Sequence, residues 1–286
     1  MKYSFIAGHT HEFRVEHMCQ VLGVGRSGYY AWKQRLPSQR AQANQVLVER
    51  VREEYHTSRK TYGSPRIHIA LQRKGVACGR HRIARLMRQD GLCARQRHKA
   101  QPMTTQRQPG MVPAPNRLNQ DFAAQAPNQK WVSDFTYIGT GEGWLYLAVV
   151  LDLFSRKVIG WAMRETMDAV LVETALHMAL LERQPQAGLL HHSDQGSQYT
   201  SAAYLNCLSR VPAQISMSRT GNCYDNAVAE SFFSTLKTEC VHGPFLTHAQ
   251  ARTTLFEYME VWYNRQRIHS TLGYHSPVDF ELQFSL

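Results

Sequence analysis

The chain has 286 residues, 43% of them hydrophobic, and a formal charge of +11. That length leaves room for two or three domains with well-buried cores, and the composition is that of a globular chain, neither disordered nor fibrous. No apolar run approaches the ~20 residues that span a bilayer, and the N-terminal MKYSFIAGHTHEF has too short an apolar stretch for a signal peptide, so the cytoplasm is the expected compartment.

The charge is unevenly spread. Residues 1–110 hold 21 Lys and Arg against 6 Asp and Glu, whereas residues 111–286 hold 12 against 16. A basic N-terminal part ahead of a mildly acidic remainder points to a polyanion bound mainly by the former. Cys19, Cys78, Cys93, Cys207, Cys223 and Cys240 contain no C-x-x-C pair and are expected as reduced, mostly buried thiols. His9, His11, His17 and Cys19 match no zinc-finger spacing, and Cys19 fits a helix core better.

From the N-terminus, FRVEHMCQVLGVGRSGYYAWKQR has a helix-turn-helix outline. Val15, Met18, Cys19 and Leu22 share a face, GVGRSG breaks the helix, and Ser27 can cap a second one, with Arg26 and Lys33 free for phosphates. NQVLVERVREEYHTSR reads as an amphipathic helix that packs on the next unit. In YGSPRIHIALQRKGVACGRHRIARLMRQDGL, Ser64 reads as a cap and Pro65 as the first helical position. Ile67, Ala70 and Leu71 are its buried face. Gly75 and Gly79 bracket a turn, and a second helix over 80–89 buries Ile83, Leu86 and Met87. Arg80, Arg82, Arg85 and Arg88 are then left outward, as a groove-reading or phosphate-clamping helix requires. These patterns divide the N-terminal part into units at 1–40 and 41–96. A basic, Pro- and Gln-rich linker follows over 97–127.

Residues 128–286 read as a mixed α/β domain. Strands are predicted at 131–139, 144–151 and 157–164, then a helix over 168–183 capped by Asp168. A strand at 188–193, a short helix after Ser201 and a strand at 213–217 follow, with long helices from 225 and over 247–263. Short turns among the first three strands imply an antiparallel meander, and the later β-α alternation implies parallel additions.

Three acids stand out against this pattern. Asp134 lies in the strand KWVSDFTYIG, Asp194 ends the apolar run GLLHHSD, and Glu230 lies in the helical YDNAVAESFFSTLKTEC. Two strand acids and one helix acid converge only if sheet and helix pack together. Converged carboxylates repel unless cations lie between them, and hard divalent ions take oxygen ligands suited to phosphodiester chemistry. Lys237, seven residues on, lies two turns along the same helix face as Glu230, and the small Ala227 and Ser234 share that side. Val228, Ala229, Phe232, Phe233 and Leu236 are the buried side. Asp152, at the end of the second strand, is expected to be structural, and Asp225 lies off the Glu230 face.

The spacing of Asp134, Asp194, Glu230 and Lys237 resembles the DDE core of retroviral-integrase-like transposases. PNQKWVSDFTYI, GWLYLAVVLDLFSRKVIGW, HSDQGSQYTS, GNCYDNAVAESFFSTLKTE and YNRQRIHSTLGYHSPVDF are similar to the OrfB transposase of copy-out/paste-in bacterial insertion sequences. The resemblance implies an RNase H-like integrase catalytic core, a five-stranded mixed sheet with flanking helices, behind an all-α helix-turn-helix region. It implies Asp134, Asp194 and Glu230 as ligands of two Mg²⁺ ions, with Mn²⁺ as a substitute, and cleavage and strand transfer at element ends without a protein-linked intermediate. Double-stranded DNA, as terminal inverted repeats and target, would be the substrate, bound by an oligomer on the nucleoid. Lys237 would hold a terminal phosphate or base, Gly196 would let the DNA backbone approach, and Asn226 would orient the helix entrance or touch DNA. The block around Arg265, Arg267 and His269 would brace the catalytic helix or touch DNA. Active members are commonly fusions with an upstream frame carrying a leucine zipper, and no sustained heptad repeat occurs here. A DNA-binding regulator without activity and an RNase H-like nuclease are the alternatives.

Overall fold

The computed structural model describes residues 1–95, 113–219 and 223–284. The first unit packs α1 (Lys2–Gly8), α2 (Val15–Val21) and α3 (Arg26–Gln34) around Ile6, Met18, Cys19 and Tyr29. Its first helix has no forecast in the sequence, because seven residues carry little period. The cap of α3 is Gly25, in extended backbone, so Ser27 falls inside the first turn and does not cap.

The second unit joins α4 (Gln39–Thr57), α5 (Ser64–Arg73) and α6 (Arg80–Gln89). Leu47 and Val51 of α4 meet Ile67, Leu71, Ile83, Leu86 and Met87. Ala70, expected among the buried residues of α5, is only half-buried. Gly63, not Ser64, occupies the cap position, which moves Ser64 and Pro65 one place into the helix. Gly75 adopts φ +75 and turns the chain out of α5, a conformation that glycine reaches without a Cβ penalty. Arg52 then ties α4 to the end of α6 by donating Nε to Asp90 Oδ2 at 2.6 Å.

The remaining residues build a five-stranded sheet of order β3-β2-β1-β4-β5. β1 (Lys130–Thr140), β2 (Gly143–Asp152) and β3 (Val158–Arg164) form the antiparallel meander; β4 (Leu190–Ser193) and β5 (Gln214–Met217) add in parallel. α7 (Ala169–Arg183) and α8 (Ala202–Ser209) are capped by Asp168 and Ser201, whose side chains accept from Leu171 N and Tyr204 N. α7 buries Leu171, Val172, Ala175, Leu176 and Ala179 on one sheet face, against Trp131, Ala148, Val150 and Ile159. Gly160 is needed there, since a Cβ would collide with the carbonyl of Ala175. Residues 97–112 of the expected linker lie outside the described residues, but the chain after them is bound to the core. Leu118 is buried, and the amides of Arg117 and Leu118 both donate to Ser216 Oγ, at 2.9 and 3.1 Å.

The opposite face is covered by α9 (Ala227–Cys240), which follows a 3₁₀ turn at Cys223–Asn226, and by α10 (His248–Phe256). α10 runs on as a π-helical stretch, Glu257–Tyr263, and α11 (Pro277–Leu282) ends the described chain. Ala229, Phe232, Phe233 and Leu236 of α9 are buried with Leu255, Tyr258, Met259 and Trp262. The second unit docks on this side. Tyr62 stacks near Trp262, with ring centroids 5.8 Å apart, and its hydroxyl accepts from Ile268 N at 2.8 Å. Among the described cysteines only Cys19 and Cys240 are buried, while Cys93 is exposed. The expectation of mostly buried thiols therefore fails where short loops leave them at the surface.

Glu239 is the polar centre of the docking. It accepts from Arg267 Nε at 2.9 Å and Nη2 at 2.8 Å, and from Tyr258 Oη at 3.0 Å. Burial pushes its carboxyl up, but these bonds outweigh burial and hold it below its usual value. Breaking such a buried pair on one side leaves an uncompensated charge, at about 3–5 kcal/mol. Arg267→Met should lower unfolding stability by that order, and adding Glu239→Leu should restore much of it. Urea titration of the single and double variants measures the recovery; an Arg267→Met protein of wild-type stability would remove the pair from this role.

Candidate active site

β4 pairs with β1 only through Val132, in the register Lys130–Leu190, Trp131–His191 and Val132–His192. Beyond it the edge of β1 is free of β4. Asp134 stands at the start of that open edge, and Asp194 emerges from the end of β4 beside it. The start of α9, which lies against β1, brings Glu230 to the same end of the sheet. Both aspartates are steadied by local amides: Phe135 N donates to Asp134 Oδ1 at 2.8 Å, and Gly196 N to Asp194 Oδ1 at 2.9 Å.

The electrostatics mark the three acids as neighbours. Burial, then the neighbouring Asp194 and Glu230, lift the Asp134 carboxyl well above the ordinary carboxylate range; the Phe135 amide and Lys237 act against them. Burial also lifts Glu230. Burial lowers the ammonium of Lys237, with Asp134 opposing. Tyr199 is fully enclosed nearby, and its hydroxyl has no hydrogen-bond partner. An oxygen-rich site whose central carboxylate resists ionisation suits a hard divalent cation, which would relieve the repulsion. Among the described residues no three His, Cys, Asp or Glu side chains crowd one point closely enough to hold an ion alone.

The other expected residues divide by location. Lys237 sits on the Glu230 side of α9, and its ammonium lies 4.6 Å from the centre of the Tyr137 ring. It therefore reaches the β1 edge, where the charge of Asp134 acts on its ammonium. Asn226 caps α9 by position only: it is buried, makes no capping bond, and its Oδ1 has no partner. It belongs to the helix entrance, not to an exposed DNA surface. Gly196 crowds the protein itself, since a Cβ would stand 3.0 Å from Asp194 Oδ1. Its lack of a side chain serves the aspartate.

Asp152 pairs opposite Trp131, on the sheet face away from Asp134, and accepts from the amides of Asn128 and Phe154 at 2.7 and 2.9 Å. Its role is structural. Asp225 accepts from Arg219 Nε and Nη2 at 3.1 and 2.9 Å, and Arg219 holds its carboxyl down at about 2. This clamp spans the approach to α9, and the sequence pattern did not reveal it. Nor did it reveal the two buried histidines ahead of Asp194. His191 Nε2 meets Ser133 Oγ at 2.9 Å, and His192 bridges Ser216 and Ser218 at 2.8 and 3.0 Å. Polar residues inside an apolar strand were the available signal.

Arg80, Arg85 and Arg88 are exposed on α6; Arg82 is half-buried and donates to Asn44 Oδ1 at 2.8 Å, so it is partly committed to α4. Arg26 pairs with Glu16 at 2.8 Å on the surface, and Lys33 is exposed. Arg267 is buried and braces α9 through Glu239, His269 is buried beside Arg267, and Arg265 is exposed.

Residues 124–223 and 230–284 match two family models described as an integrase core domain, and residues 42–100 match an HTH-like domain. The chain is 45% identical over 284 residues to the transposase InsF for insertion sequence IS3A of Escherichia coli (strain K12), covering 98% of both. It is 45% identical over 268 residues to the insertion element IS600 uncharacterized 31 kDa protein of Shigella sonnei, covering 93% of this chain and 98% of that one. A solved HTLV-2 integrase catalytic core domain in complex with magnesium aligns with a TM-score of 0.41 and 14% identity, covering 56% of this chain and 99% of that one.

The raised carboxyl of Asp134 has a measurable consequence. A group whose folded pKa lies above its unfolded value of about 3.9 loses stability as pH rises through that interval. Asp134→Asn should therefore raise the melting temperature in metal-free buffer at neutral pH, by roughly 2–4 °C for each kcal/mol of repulsion relieved. The gain should shrink towards pH 4, where the wild-type carboxyl is protonated. Differential scanning fluorimetry across pH checks it, and a variant that melts no higher than wild type at pH 7.5 contradicts the assignment.

Proposed function

This chain belongs to the integrase-core transposases of insertion sequences, the family of the InsF proteins of IS3, and on that premise we propose that Asp134, Asp194 and Glu230 are its catalytic carboxylates. The observation that carries the reading is the placement of Asp134 and Asp194 at the open edge of β1, with Glu230 in the first turn of the helix packed against that strand. The integrase-core and HTH-like matches together support action on DNA, with the HTH-like domain ahead of the core as the part that would bind it. Asp134 with Asp194, and Asp134 with Glu230, would each hold one divalent cation, Mg²⁺ or in its place Mn²⁺, which supplies activation of the attacking water or 3′-hydroxyl and stabilises the leaving oxygen. Two carboxylates per ion leave positions for water and the DNA phosphate, which is how Mg²⁺ is commonly held.

The protein's own groups position the strand. Lys237, a compact charge at the β1 edge, is placed to hold a phosphate of the terminal nucleotides. The exposed arginines of α6 would take the duplex further from the cut, with Arg26 and Lys33 of the first unit as a second contact. Inverted repeats of the element and target DNA are the two substrates. Paired ends call for more than one protomer, and a partner from an upstream reading frame would complete the assembly.

Asp194→Asn and Glu230→Gln should each reduce strand transfer with Mg²⁺ by at least several hundredfold while DNA binding stays within twofold, because binding rests on the basic units (order of magnitude from loss of a charge-stabilising group). Gel assays of end cleavage and filter binding on the same proteins test this, and an Asp194→Asn protein that joins ends at a near-normal rate would sink it. For α6, Arg85→Ala with Arg88→Ala should cut the slope of log affinity against log salt by about 1.8, two phosphate contacts at ~0.9 each. An unchanged slope would take α6 off the DNA.

A further inference from the structure

The outer half of the sheet carries a row of aromatic side chains that the carboxylate chemistry does not use. In the β1–β2 register Phe135 faces Ala148, Tyr137 faces Tyr146 and Gly139 faces Trp144, so Phe135, Tyr137, Tyr146 and Trp144 share one side of the sheet. α7 covers that side at Ala148 and Ala162. Beyond them Tyr137 and Tyr146 are half-buried, and Trp144 is 55% exposed.

The indole of Trp144 is nonetheless fixed in place. Its ring stands edge-on to Tyr137, with centroids 5.0 Å apart and planes at 86°. It also lies close over Gly139, where a Cβ would sit 3.6 Å from the ring. A large flat ring held rigidly by its neighbours yet open to solvent pays little entropy on receiving a second flat ring.

The charges around it favour an anionic chain. Lys237 Nζ lies over the far neighbour, Tyr137, at 4.6 Å. Arg164 pairs opposite Tyr146 in the β2–β3 register and is exposed, its contact to Asp168 a surface pair at 3.4 Å. Glu142, at the tip of the hairpin, is turned the other way, accepting from His248 N at 2.6 Å. Trp144 lies opposite Gly139, five residues along β1 from Asp134 and on the other face of the sheet, or about 17 Å along the strand at ~3.4 Å per residue, so a DNA strand joining them would pass around the open edge of β1 where Lys237 reaches Tyr137. That span is a few nucleotides of DNA.

We propose that Trp144, backed by Tyr137, is a stacking platform for an unpaired DNA base a few nucleotides from the reacting phosphate, with Lys237 holding the intervening backbone. This rests on the placement of the reaction at Asp134. Bases present a flat π-face whatever their identity, so the platform would grip a frayed or displaced strand without reading sequence. The unpaired base can come from the element end or from the target, both being DNA strands brought to the same edge.

The test uses the full chain and duplexes carrying 2-aminopurine, whose fluorescence falls on stacking. The probe is moved one position at a time through the last nucleotides of the element end in one series, and through the joining site of a target duplex in the other. Binding is read without divalent metal, so it does not depend on cleavage. Quenching is expected at one or two adjacent positions in one of the series, lost in Trp144→Ala and kept in Trp144→Phe. Affinity for a frayed end should fall roughly tenfold to hundredfold in the alanine variant, with fully paired internal duplex bound as before. Quenching in the end series assigns the platform to the element, and in the target series to the target. No quenched position in either series, or quenching that persists unchanged in Trp144→Ala, overturns the proposal. Mg²⁺-dependent cleavage by the wild-type and Asp134→Asn chains is measured in parallel: cleavage lost in Asp134→Asn without Trp144-dependent quenching removes the platform alone, whereas an Asp134→Asn chain that cleaves as the wild type does removes the reading of Asp134.

Discussion

Asp134 stands beside two other acids in a place where burial already opposes ionisation, and the surrounding elements are arranged around that constraint. The sheet supplies rigidity: β1 is hydrogen-bonded to β2 along its whole length, from Trp131–Asp152 to Thr140–Gly143. It supplies access as well, because β4 leaves β1 after Val132 and opens an edge where Asp134 and Asp194 emerge together. A carboxylate group forced together by a scaffold is unstable alone and is relieved by cations, which ties the architecture to metal-dependent chemistry.

The helix that completes the group is held from its other end. α9 carries Glu230 in its first turn and Glu239 in its last. Arg267, Tyr258 and Trp262 all donate to Glu239, while Tyr62 and Arg66 approach from the second helical unit. The second helical unit is thereby docked against the elements that hold the far end of α9. At the entrance, Asp225 and Arg219 clamp the chain just before α9. One helix is thus anchored near both ends by ion pairs, with Glu230 and Lys237 between them.

Much of this was legible in the residues, for physical reasons. Strands were readable because β-branched and aromatic runs stop at turn residues, and α6 because Ile83, Leu86 and Met87 recur at helical spacing. Asp168 was a recognisable cap, whereas Ser27 and Ser64 misled because a preceding glycine takes the extended backbone of the cap position. Spacing alone said only that Asp134, Asp194 and Glu230 could converge; the family resemblance supplied their chemistry. Interactions across long separations left no local trace. Glu239 and Arg267 have no pattern linking them, and neither does Ser216 with the amides of Arg117 and Leu118. The burial of Asn226 and the tether of Arg82 to Asn44 likewise depend on packing partners far along the chain.

The central claim is that Asp134 is shared between two metal ions when DNA occupies the open edge of β1. Anomalous diffraction from crystals of the protein bound to an element-end duplex and Mn²⁺ tests it directly. The account predicts one peak between Asp134 and Asp194 and a second between Asp134 and Glu230. Peaks that avoid Asp134, or ordered DNA at this edge with no bound Mn²⁺, would contradict it.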